Sequence, residues 1–281
     1  MAGPLGAPEC PVAGGPPQLN ADTLDRTRLM QSTNQEAVDE LRRRGRALQT
    51  APRDPIAFAK DPRADELLND LDRHPHAFVL ACLMDRQYPA YKCWRIPALI
   101  RHELGTFEIT ELARQSDGTF KRLFAGPPPL HRLKEEMAEI FAAGVARIVS
   151  AYEGDAAGIW RGCPPSAAVV RRFLEFRGAG PKIATMAANL LVRHFKIPLS
   201  DLYSIDISAD VHVRRTLTRL NIVRQQARQE EIIYTARELH PEYPGIFDLA
   251  AWHIGHDWCH PQRPDCDHCY MARCCPSASA A

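Results

Sequence analysis

An all-α fold is predicted by three features of this 281-residue chain. Apolar residues recur at helical spacing along most of its length. No stretch shows convincing strand alternation. The breaks between periodic segments fall at Gly and Pro. No tandem repeat is visible, and the length suits one large domain or two small ones sharing an interface.

Residues 1–33 are rich in Pro, Gly and Ala without periodicity, which predicts a disordered tail. Asn34 to Leu48 reads as the first helix, with Asn34 as N-cap and Glu36 in the first turn. Asp65 to Leu71 is the second. From His76, the cluster Phe78, Leu80, Cys82, Leu83 and Met84 marks a strongly apolar helix that stops before Pro89. Ala90 to Leu104 follows, stopped by Gly105. Short helices are expected at Thr110 to Arg114 and Asp117 to Leu123, before the break at Pro127-Pro128-Pro129. Leu133 to Tyr152 is a long amphipathic helix carried by Met137, Ile140, Phe141, Val145, Ile148 and Val149. Pro165 to Phe176 and Pro181 to Phe195 are helices joined by a tight glycine turn. Asp210 to Leu220, Gln229 to Leu239 and Pro244 to Cys259 complete the series.

Hydrophobic residues make up 45% of the chain and charged residues 25%, the balance of a water-exposed globule with an ordinary core. No apolar run is long enough to cross a bilayer. The start carries no apolar signal region, so a cytoplasmic, nucleoid-associated location is expected. A net charge of +1 excludes a histone-like binder, but the charge is unevenly placed. Arg171, Arg172, Arg177 and Lys182 flank the glycine turn, and Arg193, Lys196, Arg214, Arg215 and Arg219 follow. Acidic residues gather at Asp65 to Asp72 and Glu135 to Glu139. This pattern suits phosphate contacts, or simply solvated helix faces.

Five of the 9 cysteines lie within residues 259–275. Cys259, Cys266, Cys269 and Cys275 form a Cys-x6-Cys-x2-Cys-x5-Cys run. Four thiolates on one irregular loop repel one another unless a cation neutralises them. The spacing therefore points to zinc or an iron–sulfur cluster rather than to a disulfide framework, which suits short secreted chains. Cys274 is a neighbour able to replace Cys275. Cys82, Cys93 and Cys163 read as free thiols.

The turn Phe176-Arg177-Gly178-Ala179-Gly180-Pro181-Lys182 has its own logic. Gly178 and Gly180 allow positive φ and close approach of another backbone. Pro181 suits the first turn of a helix. The free N–H groups that follow, beside Lys182, suit a phosphate; a plain helical corner is the alternative.

The helix–Gly-x-Gly–helix turn, a downstream Asp and the C-terminal four-Cys loop together resemble the helix-hairpin-helix DNA glycosylases of the endonuclease III type. The resemblance spans roughly residues 76–275. It implies an all-α fold with two helical modules flanking a DNA cleft: residues 76–196 as a six-helix module with the hairpin, and residues 34–75 plus 197–281 as the module of a [4Fe-4S] cluster. Lys182 matches the family's catalytic Lys. Asp210, in Ala209-Asp210-Val211-His212-Val213-Arg214-Arg215, matches its catalytic Asp, with Asp206 as a competitor. Where the family reads Ser-Ala-Gln, this chain has Asp85-Arg86-Gln87. Gln87 matches the residue that fills the space of the extruded base, whereas Asp85 and Arg86 depart. Extra residues at 199–208 lengthen the interval between Lys182 and Asp210.

The resemblance implies removal of a damaged or modified base, a pyrimidine by preference, from double-stranded DNA by a monomer. The base must leave the stack first. Asp210 would stabilise positive charge at C1′, and a neutral Lys182 would attack C1′ and form an imine, leading to β-elimination. Gln87, Arg177, Gly178, Gly180, His212 and Arg214 are the expected DNA contacts, and Cys259, Cys266, Cys269 and Cys275 the cluster ligands. The rival readings are a monofunctional mismatch glycosylase, an enzyme of modified-thymine metabolism on the same fold, and a non-catalytic DNA-binding iron–sulfur protein. Tyr88, Tyr91 and Trp94 suit base stacking or core packing, and Trp252 and Trp258 suit packing of the cluster loop.

Overall fold

The computed structural model describes the backbone of residues 21–278 and the side chains from residue 35 onward. It is all helical, with no strand among the described residues. Residues 1–20 of the expected tail lie outside the described range. Helix α1 runs Ala21–Thr50, so Asn34 sits inside it and is no N-cap.

The remaining helices are α2 (Pro62–Asn69), α3 (Pro75–Met84), α4 (Ala90–Leu104), α5 (Ile109–Ala113), α6 (Asp117–Ala125), α7 (Lys134–Tyr152), α8 (Ser166–Leu174), α9 (Pro181–Arg193), α10 (Val211–Arg219), α11 (Gln229–Leu239) and α12 (Asp248–His253). Helix α2 starts at Asp61, whose carboxylate accepts the N–H groups of Arg63 and Ala64 at 3.2 Å each. Ser116 caps α6 in the same way. Gly105 ends α4 in the left-handed conformation, φ 72°, as its position predicts.

The hub is α3. Every residue from Pro75 to Met84 is buried, the pattern of a helix apolar on all sides. It packs against α2, α4, α7 and α9. Each large apolar side chain fully buried there contributes about 1.5–3 kcal/mol. Trp94 is 5% exposed and stacks on Phe58 at 4.6 Å between ring centroids, so it is a core residue. The range from α3 to α9 holds one helix more than the six expected.

Helix α12 packs against both α1 and α10, with α1 also touching α9. Helix α2 packs on α3 and α4 instead of joining this second group. The single helix expected over Pro244 to Cys259 is divided. A 3-10 turn at Pro244–Phe247 leads into α12, and a π turn follows at Ile254–Trp258. The π turn coincides with a close approach of two elements. Gly255 lies against the His212 backbone, where a Cβ would meet the His212 carbonyl oxygen at 2.6 Å, and the Cys259 N–H bonds back to the Ile254 carbonyl at 2.7 Å. This widened turn delivers the chain into the four-Cys loop.

Residues 199–208 are a tied-down segment. The Ser200 N–H reaches the Pro164 carbonyl at 3.1 Å, the Ser204 N–H reaches Ser166 Oγ at 3.1 Å, and the Ile205 carbonyl accepts the Gly245 N–H at 2.7 Å. Ile205 to Ser208 are buried.

Candidate functional site

The glycine turn joins α8 to α9. Gly178 has φ +86°, and a Cβ there would meet Ile140 Cδ1 at 2.8 Å, so both conformation and space require glycine. Gly180 differs from expectation. It is extended, φ −99° and ψ −178°, and open space surrounds its Cα. Its role is to leave the approach to α9 unobstructed. No side chain caps α9, so its first N–H groups and the positive end of its dipole face outward beside Lys182.

Lys182 Nζ lies 3.1 Å from Asp85 Oδ2. The Lys182 side chain is 42% exposed and that of Asp85 only 12%. This contact brings the 85–87 loop to the mouth of the hairpin, a neighbour that sequence comparison alone did not pair with Lys182. The loop is fixed from behind. His131 donates from Nε2 to the Arg86 carbonyl at 3.0 Å and accepts the Leu133 N–H on Nδ1 at 3.0 Å. Burial pushes its pKa down, so it is the neutral imidazole that holds the loop. Gln87 is exposed with φ 47°, and its Oε1 accepts from Arg132 at 2.8 Å. Arg86 turns away to Glu136.

Asp210 is the N-cap of α10. Its Oδ1 accepts the His212 and Val213 N–H groups at 2.9 Å each. The starts of α9 and α10 meet through Thr185 Oγ1 and Ser208 Oγ, 3.4 Å apart. Lys182 is one turn before Thr185, and the Asp210 N–H bonds to the Ser208 carbonyl at 2.6 Å. Beneath them Asp248 accepts the Ser208 N–H at 2.6 Å. Burial raises the Asp248 pKa to about 6, with the Asp210 charge adding to the rise and Arg193 opposing it. Sequence reading missed Asp248 because nothing in its neighbourhood of the chain marks it. Asp206 points the other way, into an ion pair with Arg237.

The predicted basic cluster is largely used up inside the fold. Arg193 is 6% exposed. Arg172 donates to the Ile159 carbonyl, Lys196 to that of Gln49, and Arg214 to that of Ala227. Arg215 donates to the carbonyls of Cys259 and Gly255, both at 2.5 Å. His212 packs against Trp252 and His256, with Arg215 on its Nδ1. Arg171 and Arg177 stay exposed, 66% and 58%; the first leans on Glu175 and the second on Glu139 at 2.8 Å.

Cys259, Cys266, Cys269 and Cys275 line one cavity of about 200 Å3, together with Trp258, Met271 and Arg219. Burial and the neighbouring thiols hold the Cys269 pKa above its ordinary value. Burial does the same for Cys275. Cys274 is not in this ring. It is buried toward α1, its Sγ 3.4 Å from the Met271 carbonyl, with Glu36 and Glu40 nearby. Arg219 Nη1 donates to Cys259 Sγ at 3.2 Å and also reaches the His260 carbonyl at 2.7 Å. Among the described residues no group of three or more His, Cys, Asp or Glu side chains is close enough together to hold a metal ion as the side chains stand. Four thiols spaced around one cavity suit a ligand larger than one ion, as a cluster bound through four Cys is.

The chain has the helix-hairpin-helix DNA glycosylase fold. It is similar to a trapped covalent complex of endonuclease III with DNA, an estranged-adenine complex, at 16% identity and TM-score 0.54, over 78% of this chain and 95% of that one. A non-covalent endonuclease III–DNA complex gives 17% and 0.54, over 77% and 94%. A thermostable thymine-DNA glycosylase gives 13% and 0.55, over 89% and 99%. No family model matches the sequence, and no curated protein matches it. No described helix is long and apolar enough to cross a membrane.

Proposed function

We propose that this protein is a DNA glycosylase that removes a damaged or modified base, a pyrimidine by preference, and then cleaves the abasic site by β-elimination. The observation that carries this reading is the placement of Lys182 at the uncapped start of α9, its amine half exposed beyond a glycine turn that the DNA backbone can approach. The likeness to DNA-bound endonuclease III supports it. DNA lies between a module built on α3 to α9 and one built on α1, α10 and α12. Arg177 and the N–H groups of α9 hold phosphate, and Gln87, at the exposed tip of its loop, enters the space of the extruded base.

Two side chains carry the chemistry in this reading. Asp210, pinned on one oxygen by two N–H groups, faces the positive charge that develops at C1′. Lys182 attacks C1′. The C1′–base bond breaks and its electron pair leaves with the base. The nitrogen lone pair then opens the sugar ring, breaking C1′–O4′ with a proton passing to O4′; the resulting imine makes the neighbouring C2′ proton acidic, and its loss expels the 3′ phosphate. Cys259, Cys266, Cys269 and Cys275, which line one cavity, would hold a [4Fe-4S] cluster, and the cluster would cross-link residues 259–275.

The test is borohydride trapping on duplexes bearing single lesions or an abasic site. Wild type should be captured covalently, and Lys182→Ala should not be captured while keeping most of its DNA affinity, which comes from phosphate contacts. Base release without capture would make the protein a monofunctional glycosylase. No base release from any lesion would remove the glycosylase reading.

A further inference from the structure

The proposed lyase step needs a neutral amine, and in the free protein that amine is paired with a carboxylate. The carboxylates around the starts of α9 and α10 are not equivalent. Asp206 is held by Arg237, Asp248 is buried on Ser208, and Asp210 is turned into its own helix. Among the described residues only Asp85 has an oxygen within hydrogen-bond distance of Lys182 Nζ, and Lys182 is its only ion-pair partner. Asp85 sits at the C-terminal end of the wholly buried α3, and its own N–H is tied to the Cys82 carbonyl at 3.2 Å, so its position is fixed by the core.

We propose that Asp85 is the proton acceptor for Lys182, a catalytic residue that replaces water as the sink for the amine's proton once DNA covers the site. The inference rests on the lyase reading above. Its physical basis is the asymmetry of exposure. The Asp85 side chain is 12% exposed, whereas that of Lys182 is 42% exposed and still touches solvent. A bound duplex removes that solvent. Desolvation penalises both charges of the pair, and the neutral pair becomes the better partner for a closed site. One proton then passes from Nζ to Oδ2. The freed lone pair forms the N–C1′ bond as the C1′–base bond breaks. In the open protein the same contact ties the amine to Asp85, so the nucleophile is released only by substrate.

The other titratable and charged groups facing the pair leave the assignment clear. Burial lifts the thiols of Cys82 on α3 and Cys93 on α4, the latter to about 12, and both stay neutral. Arg86 is paired with Glu136 of α7, and His131 is neutral.

The experiment is single-turnover borohydride trapping on a duplex with a preformed abasic site, from about pH 6 to 10, with circular dichroism confirming the fold. Asp85→Asn should slow trapping at neutral pH by roughly a hundredfold or more, the scale of lost general-base catalysis. The rate should recover as the pH approaches the ordinary lysine range near 10. Asp85→Glu should keep more activity than Asp85→Asn, and Asp85→Ser, small and neutral, should repeat the loss if Asp85→Asn folds poorly. Trapping by Asp85→Asn within about threefold of wild type at neutral pH overturns the inference alone. So does a loss that high pH does not restore. A wild type that is never trapped overturns the lyase reading and this inference together.

Discussion

Arg237 grips Asp206 with two parallel bonds, Nε to Oδ1 at 2.7 Å and Nη2 to Oδ2 at 2.9 Å. This pairing separates two carboxylates that lie four positions apart and look alike in the sequence. Asp206 is tied up in that ion pair, whereas Asp210 caps α10 through Oδ1 and makes no ion pair among the described residues.

Asp206→Asn should therefore cost stability and Asp210→Asn should cost activity. The first leaves Arg237 short of its partner and should lower the unfolding free energy by about 1–3 kcal/mol in a denaturant titration, the pair being only partly buried. Asn caps a helix as well as Asp does, so Asp210→Asn should leave stability nearly unchanged. Base release on a cognate duplex should slow about a hundredfold or more.

The two glycines of the turn should also part company. Gly178→Ala forces a Cβ into Ile140 at a left-handed φ and should destabilise the fold by about 1–3 kcal/mol. Gly180→Ala meets nothing in the free protein, and its stability should stay within about 0.5 kcal/mol of wild type. A loss of DNA affinity in Gly180→Ala, measured by fluorescence anisotropy, would locate the DNA backbone at that Cα.

Iron content should distinguish the adjacent cysteines. Cys275→Ser removes a thiol that lines the cavity and should strip most iron and visible absorbance from anaerobically purified protein. Cys274→Ser removes a thiol turned toward α1 and should leave about four irons per chain. Stoichiometric zinc in place of iron would replace the cluster assignment.

Asp248 gives a pH signature. Its carboxyl pKa is raised from the model-peptide 3.8 to about 6, so the folded state holds a proton that the unfolded chain has already lost. Stability from this group is greatest at low pH and is lost as pH climbs through that window. Asp248→Asn keeps the acceptor for the Ser208 N–H and never ionises. Its unfolding free energy should fall less than that of wild type between those two pH values.

Much of the helical architecture was legible because apolar periodicity and Gly or Pro stops fall where α4, α7, α9 and α11 begin and end. The four-Cys loop was legible from spacing, which needs no knowledge of distant partners. What stayed hidden depends on long-range pairing. Nothing in the sequence around Arg214, Arg215 or Arg219 says that they face carbonyls of other segments rather than phosphate. Asp85 and Lys182 are joined only when α3 and α9 pack. The division of the last helix coincides with Gly255 meeting His212, a contact between elements. The start of α1 was misplaced because the Pro- and Gly-rich beginning was extended too far along the chain.

Helix α1 contributes the buried Ala37, Val38 and Leu41, and it meets segments made much later: Arg42 donates to the Leu239 carbonyl across 197 positions, and the Arg44 guanidinium lies over the Tyr270 ring at 5.6 Å. During synthesis this apolar stripe leaves the ribosome early and waits for its cover. Closing so long a loop carries an entropy cost that grows only slowly with length, but it delays the contact, and the uncovered stripe is open to wrong partners meanwhile. The cover over Val38 and Leu41 comes from Ile207, Leu217, Ala236, Leu239 and Phe247, so the stripe stays open until segments about two hundred positions later have folded onto it.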